Sequence, residues 1–261
     1  MSRIYHTLNL SVEQQRFIRL LDDFEIEIFR LKEIESLVNE KFSNINSILE
    51  NLETKGFLSR LERGKYCRSN FRNDNVIGCF LVNDGAVAYW SALNIHGLTS
   101  RFPNLIFIQT THNKQNKTVL STSYKFIQIP SGKIIGITTQ GYGNNAFRIT
   151  DIEKTIVDCF DLPAYSGGFE ELIRSFISAN LSADKLITYS KAVHNKAALK
   201  RMGLVAELAD KKGMKSFISY AKSEVNSSYD LFDPMGDRAG EPLGSWKLCM
   251  NMNIKQVLSS I

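Results

Sequence analysis

Residues 43–69 read SNINSILENLETKGFLSRLERGKYCRS. In the first half, Ile45, Ile48, Leu49 and Leu52 fall at the i, i+3, i+4, i+7 spacing that gathers apolar side chains on one helix face. Ser43 stands where an N-cap belongs. Gly56 stands where the chain leaves the helix, because glycine enters the left-handed region without a Cβ clash. The second half, FLSRL and KYCRS around ERG, predicts two short strands joined by a turn at Gly64. The residues upstream supply two more helices. SVEQQRFIRLLDD (11–23) carries Ser11 as its cap and Phe17, Ile18, Leu20 and Leu21 as its apolar face, and FRLKEIESLVNE (29–40) carries Leu31, Ile34, Leu37 and Val38. Residues 39–42 form the short link that a helix-turn-helix uses between its last two helices. Three helices and a hairpin predict a winged helix-turn-helix over residues 1–72.

The outer face of the third helix presents Asn44, Asn46, Ser47, Glu50 and Asn51. Asn pairs bidentately with adenine N6 and N7, Ser contacts several base edges, and Glu accepts from cytosine N4. The hairpin adds Arg60, Arg63, Lys65 and Arg68, suited to phosphate or minor-groove contact. Asn44, Asn46, Ser47, Asn51, Arg60, Arg63, Lys65 and Arg68 are therefore the candidate DNA-binding set. Polar residues also simply solvate an exposed helix, and some winged helices bind protein instead.

The 261 residues are 43% hydrophobic and 23% charged, ordinary globular values that exclude a disordered chain. The net charge of +5 is mild, so its distribution carries more information than its size. Residues 1–70 hold 11 Lys/Arg and 11 Asp/Glu, but residues 55–68 set five basic side chains against Glu62 alone. Residues 181–222 carry nine basic residues and three acids, a second basic region that suggests a polyanion partner. Cys67, Cys79, Cys159 and Cys249 form no CxxC pair, and the N-terminal MSRIYHTLNLSVEQQ has no apolar leader segment. No apolar run approaches the ~18 residues of a membrane span. These features point to a soluble protein of a reducing compartment, a bacterial cytoplasm.

From residue 73 to 261 the pattern becomes mixed α/β, so the fold class expected for the whole chain is α/β of the α+β kind. A helix over residues 85–97 is capped by Asp84, and LIFIQT (105–110), YKFIQI (124–129) and IIGIT (134–138) are short strands. Thr150 and Glu153 suggest a capping box before KTIVDCFD. Four further helical segments between residues 166 and 224 form a C-terminal helical array, and SWKLCMNMN (245–253) is a final strand. His6, His96, His112 and His194 lack an i+4 partner, so no metal site is expected, and GYG at 141–143 suits a strand turn better than a dinucleotide loop. Asp151, Glu153, Lys154 and Asp158 are the best acid–base group, as a metal-dependent nuclease would need. The first two also suit the first turn of a helix, and Lys154 with Asp158 suits an ordinary surface pair. No cofactor and no catalytic residue is expected.

Four segments, FLSRLERGKYCR (57–68), AYWSALNIHGLTSRFPNLIFI (88–108), RITDIEKTIVDCFDLPAYSGG (148–168) and SWKLCMNMN, resemble in order and spacing the AbiEi antitoxins of abortive-infection type IV toxin–antitoxin systems. The resemblance covers nearly the whole chain. It implies a winged helix that represses its own operon. One winged helix makes few phosphate contacts, so the partner expected is double-stranded DNA with repeated half-sites in its own promoter, bound by self-associating copies. The resemblance also implies a C-terminal antitoxin domain, residues 73–261, that counteracts a nucleotidyltransferase-like toxin. The family offers no catalytic residues to carry over. A nuclease built on Glu153, Lys154 and Asp158, and a protein-binding adaptor, are the alternatives.

Overall fold

The computed structural model describes residues 10–259. His6 and the leader reading of residues 1–9 lie outside this range. Helix α1 (Val12–Asp23) opens with a capping box in which Ser11 and Gln14 each accept the other's backbone N–H at 3.2 Å. Strand β1 (Ile28–Arg30), helices α2 (Leu31–Leu37) and α3 (Ile45–Thr54), and strands β2 (Leu58–Glu62) and β3 (Lys65–Arg68) follow. β1 is too short to leave a period in the sequence and takes Phe29 and Arg30 from the expected second helix. The link between α2 and α3 is residues 38–44, longer than expected. Asn44 rather than Ser43 caps α3, its Oδ1 accepting from Ser47 N at 3.3 Å. The three strands pair antiparallel in the order β1-β3-β2. With the helices they give the winged-helix order of elements, around a core of Phe17, Phe29, Ile34, Leu49, Leu52 and Tyr66.

Helix α4 (Asp74–Phe80) leads into a mixed six-stranded sheet of order β6-β7-β5-β4-β9-β8. Its strands are β4 (Ala86–Val87), β5 (Ile106–Thr110), β6 (Lys117–Val119), β7 (Thr122–Gln128), β8 (Ile137–Gln140) and β9 (Phe147–Thr150). The expected helix over 85–97 is thus β4 followed by α5 (Tyr89–Ile95), and Ala88, not Asp84, precedes that helix. Asp84 instead accepts from Thr111 N at 2.8 Å and from the hydroxyls of Thr110 and Thr111, bracing the end of β5. Strand alternation divides the sheet's side chains between two cores. Ile108, Tyr124, Phe126 and Ile149 face α4, whereas Phe107, Ile127 and Ile129 face the helices that follow.

Those helices are α6 (Ile152–Asp161), α7 (Phe169–Ser178), α8 (Ala183–Val193), α9 (Lys196–Leu208) and α10 (Lys215–Ser223). α6 packs against α5, α7, α8 and α9, and every residue from Glu153 to Phe160 is buried. Its cap is Asp151, whose Oδ1 accepts from Lys154 N at 2.8 Å; Thr150 ends β9 instead. A small sheet, β10 (Asp230–Leu231), β11 (Glu241–Leu243) and β12 (Leu248–Met250), and helix α11 (Ile254–Leu258) complete the chain. The protein is mixed α/β, and among the described residues no helix is long and apolar enough to cross a membrane.

The winged-helix sheet is buried on both sides. Leu58 and Tyr66 join the core beneath the three helices, while Leu61 and Cys67, with Phe71, join Ile77, Leu81, Ile108 and Tyr124 under the central sheet. Residue 72 is therefore a change of architecture that one apolar core runs across. We expect Leu61→Ala to lower stability by about 2–5 kcal/mol, the usual loss for a buried leucine. Hydrogen exchange should show α3 and β5 amides losing protection together. Loss confined to the winged helix would mean that the two parts unfold separately.

Candidate nucleic-acid interface

The start of α3 and the wing border one cleft of about 780 Å³, lined by Lys32, Asn46, Arg60, Arg63, Lys65 and Asn83 among others. The wing is aimed by its turn. Glu62 and Lys65 pair across Arg63 and Gly64, Gly64 adopts φ +74°, and its carbonyl accepts from Leu31 N at 2.8 Å. That bond ties the turn to the start of α2, the helix that carries Lys32. Asn46, Arg60, Arg63 and Lys32 are exposed, and their side chains make no hydrogen bond or ion pair among the described residues. Glu33, the acid on the cleft wall, pairs with Arg30 at 3.5 Å, and Arg30 lies over the Phe80 ring at 4.5 Å.

The other candidates have work within the protein. Asn44 caps its own helix. Asn51 lies back along α3, its Nδ2 donating to Ser47 O at 2.7 Å and to Ser47 Oγ at 3.3 Å. Lys65 reaches the cleft, but its Nζ donates to Leu81 O at 2.6 Å and pairs with Glu62 at 2.8 Å. Burial lowers the Lys65 pKa, and Glu62 opposes that shift. Arg68, at the far end of β3, pairs with Asp22 of α1 and is mostly buried. Lys65 and Arg68 thus leave the set of free cations, and Lys32, which in the sequence reads as one more polar helix residue, enters it.

Glu62 is the centre of a lysine cluster. Besides Lys65 it receives Lys114 at 2.8 Å and Lys117 at 3.3 Å, both from the segment between β5 and β7. Burial alone would raise the Glu62 carboxyl, but hydrogen bonds from Lys114 and Lys65 outweigh it and hold the group at about 2. Lys114 and Lys65 also share Leu81 O as acceptor. The wing is in this way fastened to the central sheet by its base, with the two arginines left outside the cluster.

The acid–base group of α6 takes a different form from the one expected. Lys154 and Asp158 pair, but inside the protein and not on its surface, at 0% and 3% exposure. Burial pushes the Asp158 carboxyl up against the pull of Lys154. Asp151 receives Tyr189 Oη–H at 2.8 Å and Lys185 at 3.0 Å, while Glu153 accepts from Ser182 N at 2.9 Å. Asp151 and Glu153 therefore fasten α8 to α6. Among the described residues no three His, Cys, Asp or Glu side chains gather as metal ligands would.

No protein-family model and no curated protein matches the chain. The crystal structure of the RV2827C protein from Mycobacterium tuberculosis is similar to it, with a TM-score of 0.66 over 97% of this chain and 95% of that one, at 13% sequence identity. At that identity the likeness is one of fold. It extends through both the winged helix and the helical array, so the two parts occur together in that protein as well.

The second basic region, residues 181–222, is largely engaged inside the array. Lys185 pairs with Asp151 and Glu153, Lys196 with Glu224, Lys200 with Asp230 and Lys222 with Glu207. Arg201 Nε donates to Leu231 O at 3.0 Å and Lys211 Nζ to Ala179 O at 2.7 Å. The region holds helices together and does not form a continuous basic surface.

The wing cluster makes a pH prediction. Because the folded Glu62 value lies below its ordinary 4.5, its contribution is complete above about pH 4.5 and is lost as pH falls toward 2. Glu62→Gln should cost on the order of 1–3 kcal/mol at pH 7, as for a hydrogen bond to a charged group. Denaturant titrations of the two proteins should converge as the pH approaches 2. A difference that stays constant down to that pH would show that the lysines do not act through the Glu62 charge.

Proposed function

We propose that this chain is a DNA-binding transcriptional autorepressor and the antitoxin of a type IV toxin–antitoxin phage-defence system, acting in the cytoplasm against a nucleotidyltransferase-like toxin. The observation that carries the DNA-binding half is the single cleft shared by Asn46 of α3 with Lys32, Arg60 and Arg63, all exposed. A helix N-terminus carrying a free amide enters a major groove and reads a base edge, while flanking cations take the phosphates on either side. The antitoxin half rests on the resemblance of the four sequence segments. With three free cations one copy makes few phosphate contacts, so operator affinity requires two copies on half-sites about 10–10.5 bp apart, or a multiple of that spacing.

The test is a salt titration of binding to the chain's own promoter. Arg60→Ala with Arg63→Ala should flatten the log–log salt dependence by about 0.9 for each phosphate left without its arginine. Lys65→Ala should leave the slope unchanged while lowering stability. Asn46→Ala should cost about 1–3 kcal/mol at one base position and little on random duplex. The arginine double variant should still protect cells co-expressing the toxin. Equal binding by wild type and double variant would remove DNA from the cleft, and loss of protection would place neutralisation at the DNA-binding face.

A further inference from the structure

An open sheet ends on two edge strands, each with a row of unpaired main-chain groups that can template another strand. Most edges in this protein are guarded. In the winged-helix sheet, β2 is bulged between Arg60 and Glu62, and β1 is three residues long and ends on Arg30. In the small sheet, β10 has two residues and β11 holds Pro242 at its centre. In the central sheet, β6 carries Lys117, paired with Glu62. The other edge of that sheet, β8, has none of these devices. Its residues, Ile137, Thr138, Thr139 and Gln140, include no charge and no proline, and its register with β9 runs without a bulge. Thr138, Thr139 and Gln140 are exposed.

The phase of the β8–β9 ladder fixes which main-chain groups are open. Asp151 N donates to Gly136 O at 2.7 Å, and the register sets Thr138 opposite Ile149 and Gln140 opposite Phe147. Hydrogen-bonded pairs alternate with non-bonded pairs in an antiparallel ladder. Gly136, Thr138 and Gln140 therefore face β9, and Ile137 and Thr139 turn their N–H and C=O outward. Among the described residues those outward groups meet no partner.

We infer that β8 pairs with β8 of a second copy of this chain, antiparallel, about a two-fold axis at Thr138. That axis sets Ile137 opposite Thr139 in both directions and makes four main-chain hydrogen bonds, the most that two open residues on each strand allow. Thr138 meets its own copy in the closer, non-bonded position, a β-branched pair. With no charge on either strand, no like charges are set opposite each other. Tyr142, just past the strand and 93% exposed, reaches beyond the start of the second copy's β8 and gives the contact an apolar margin. A two-fold contact closes on itself, so one pairing covers the open edge of both copies and joins their central sheets. A four-residue strand buries less than the ~1,200 Å² of a standard interface, so the dimer is weak and depends on concentration.

This pairing is independent of DNA, and sedimentation of the full chain without DNA tests it. Wild type should shift from monomer to dimer as its concentration rises. Thr139→Pro removes two of the four intermolecular bonds and no internal one, so it should weaken the dimer roughly tenfold or more. Thr138→Lys sets two positive charges face to face and should have the same effect, which keeps the test intact should the proline variant fail to fold. Thr138→Cys brings two thiols together across the axis, where Cα atoms about 4.5 Å apart suit a disulfide. Oxidised glutathione should convert it to a covalent dimer faster than Thr118→Cys, an exposed position on the opposite edge strand β6. A wild type that is monomeric at every concentration, equal cross-linking of the two cysteine variants, or a dimer that survives both Thr139→Pro and Thr138→Lys would overturn the β8 pairing.

Discussion

The β2–β3 hairpin is buried on both faces, and the remainder of the molecule is arranged around that constraint. A hairpin alone in water is marginally stable. Here Leu58 and Tyr66 are covered by the three helices, Leu61 and Cys67 by the central sheet, and Glu62 is held by lysines from a segment some fifty residues away in sequence. What remains outside is the turn, with Arg60 and Arg63 beside the start of α3. The same contacts that make the hairpin rigid therefore decide which of its cations are presented. They also make the larger part of the chain a structural support for the wing, because without it Leu61, Cys67 and Phe71 would be exposed.

Local pattern made much of this legible in the sequence. The stripe of α3, the Ser11 cap and the turn at Gly64 all have short-range causes, and each appears in the structure at or within a residue of its expected place. Strands of two or three residues, such as β1, β4 and β10, are too short to show alternation and exist because neighbouring strands pair with them. The burial of α6 leaves no such signal. Ile152, Ile156, Val157, Cys159 and Phe160 gather on one face, with Lys154 and Asp158 on the opposite side, which is the pattern of a half-exposed helix; only the packing of α5, α7, α8 and α9 around α6 buries that pair.

The candidate site was legible as a region and not as a ranking. Arg60, Arg63, Lys65 and Arg68 look alike in a sequence, yet two are free and two are bound to Leu81, Glu62 and Asp22. Leu81 and Asp22 become neighbours of those cations only through folding, so no local rule separates the pairs. Lys32 escapes a sequence reading for the converse reason. It stands in a helix defined by its apolar stripe, and only the bond from Leu31 N to Gly64 O brings that helix to the wing.

This sorting also resolves the neutrality of the first seventy residues. Equal numbers of acids and bases suggest a weak polyanion binder only if all of them share one surface. They do not. Asp22 is paired with Arg68, Glu40 with Arg16 and Glu62 with three lysines, while Glu35 accepts from Phe42 N. Glu25, Glu27 and Asp74 line a different cleft beside Arg72. Each paired acid cancels its partner within a few ångströms, and exposed charges beyond about 8–10 Å are largely screened at physiological salt. A ligand in the α3–wing cleft meets Lys32, Arg60 and Arg63 against one acid already engaged by Arg30, a positive field on a chain segment whose formal charge is zero.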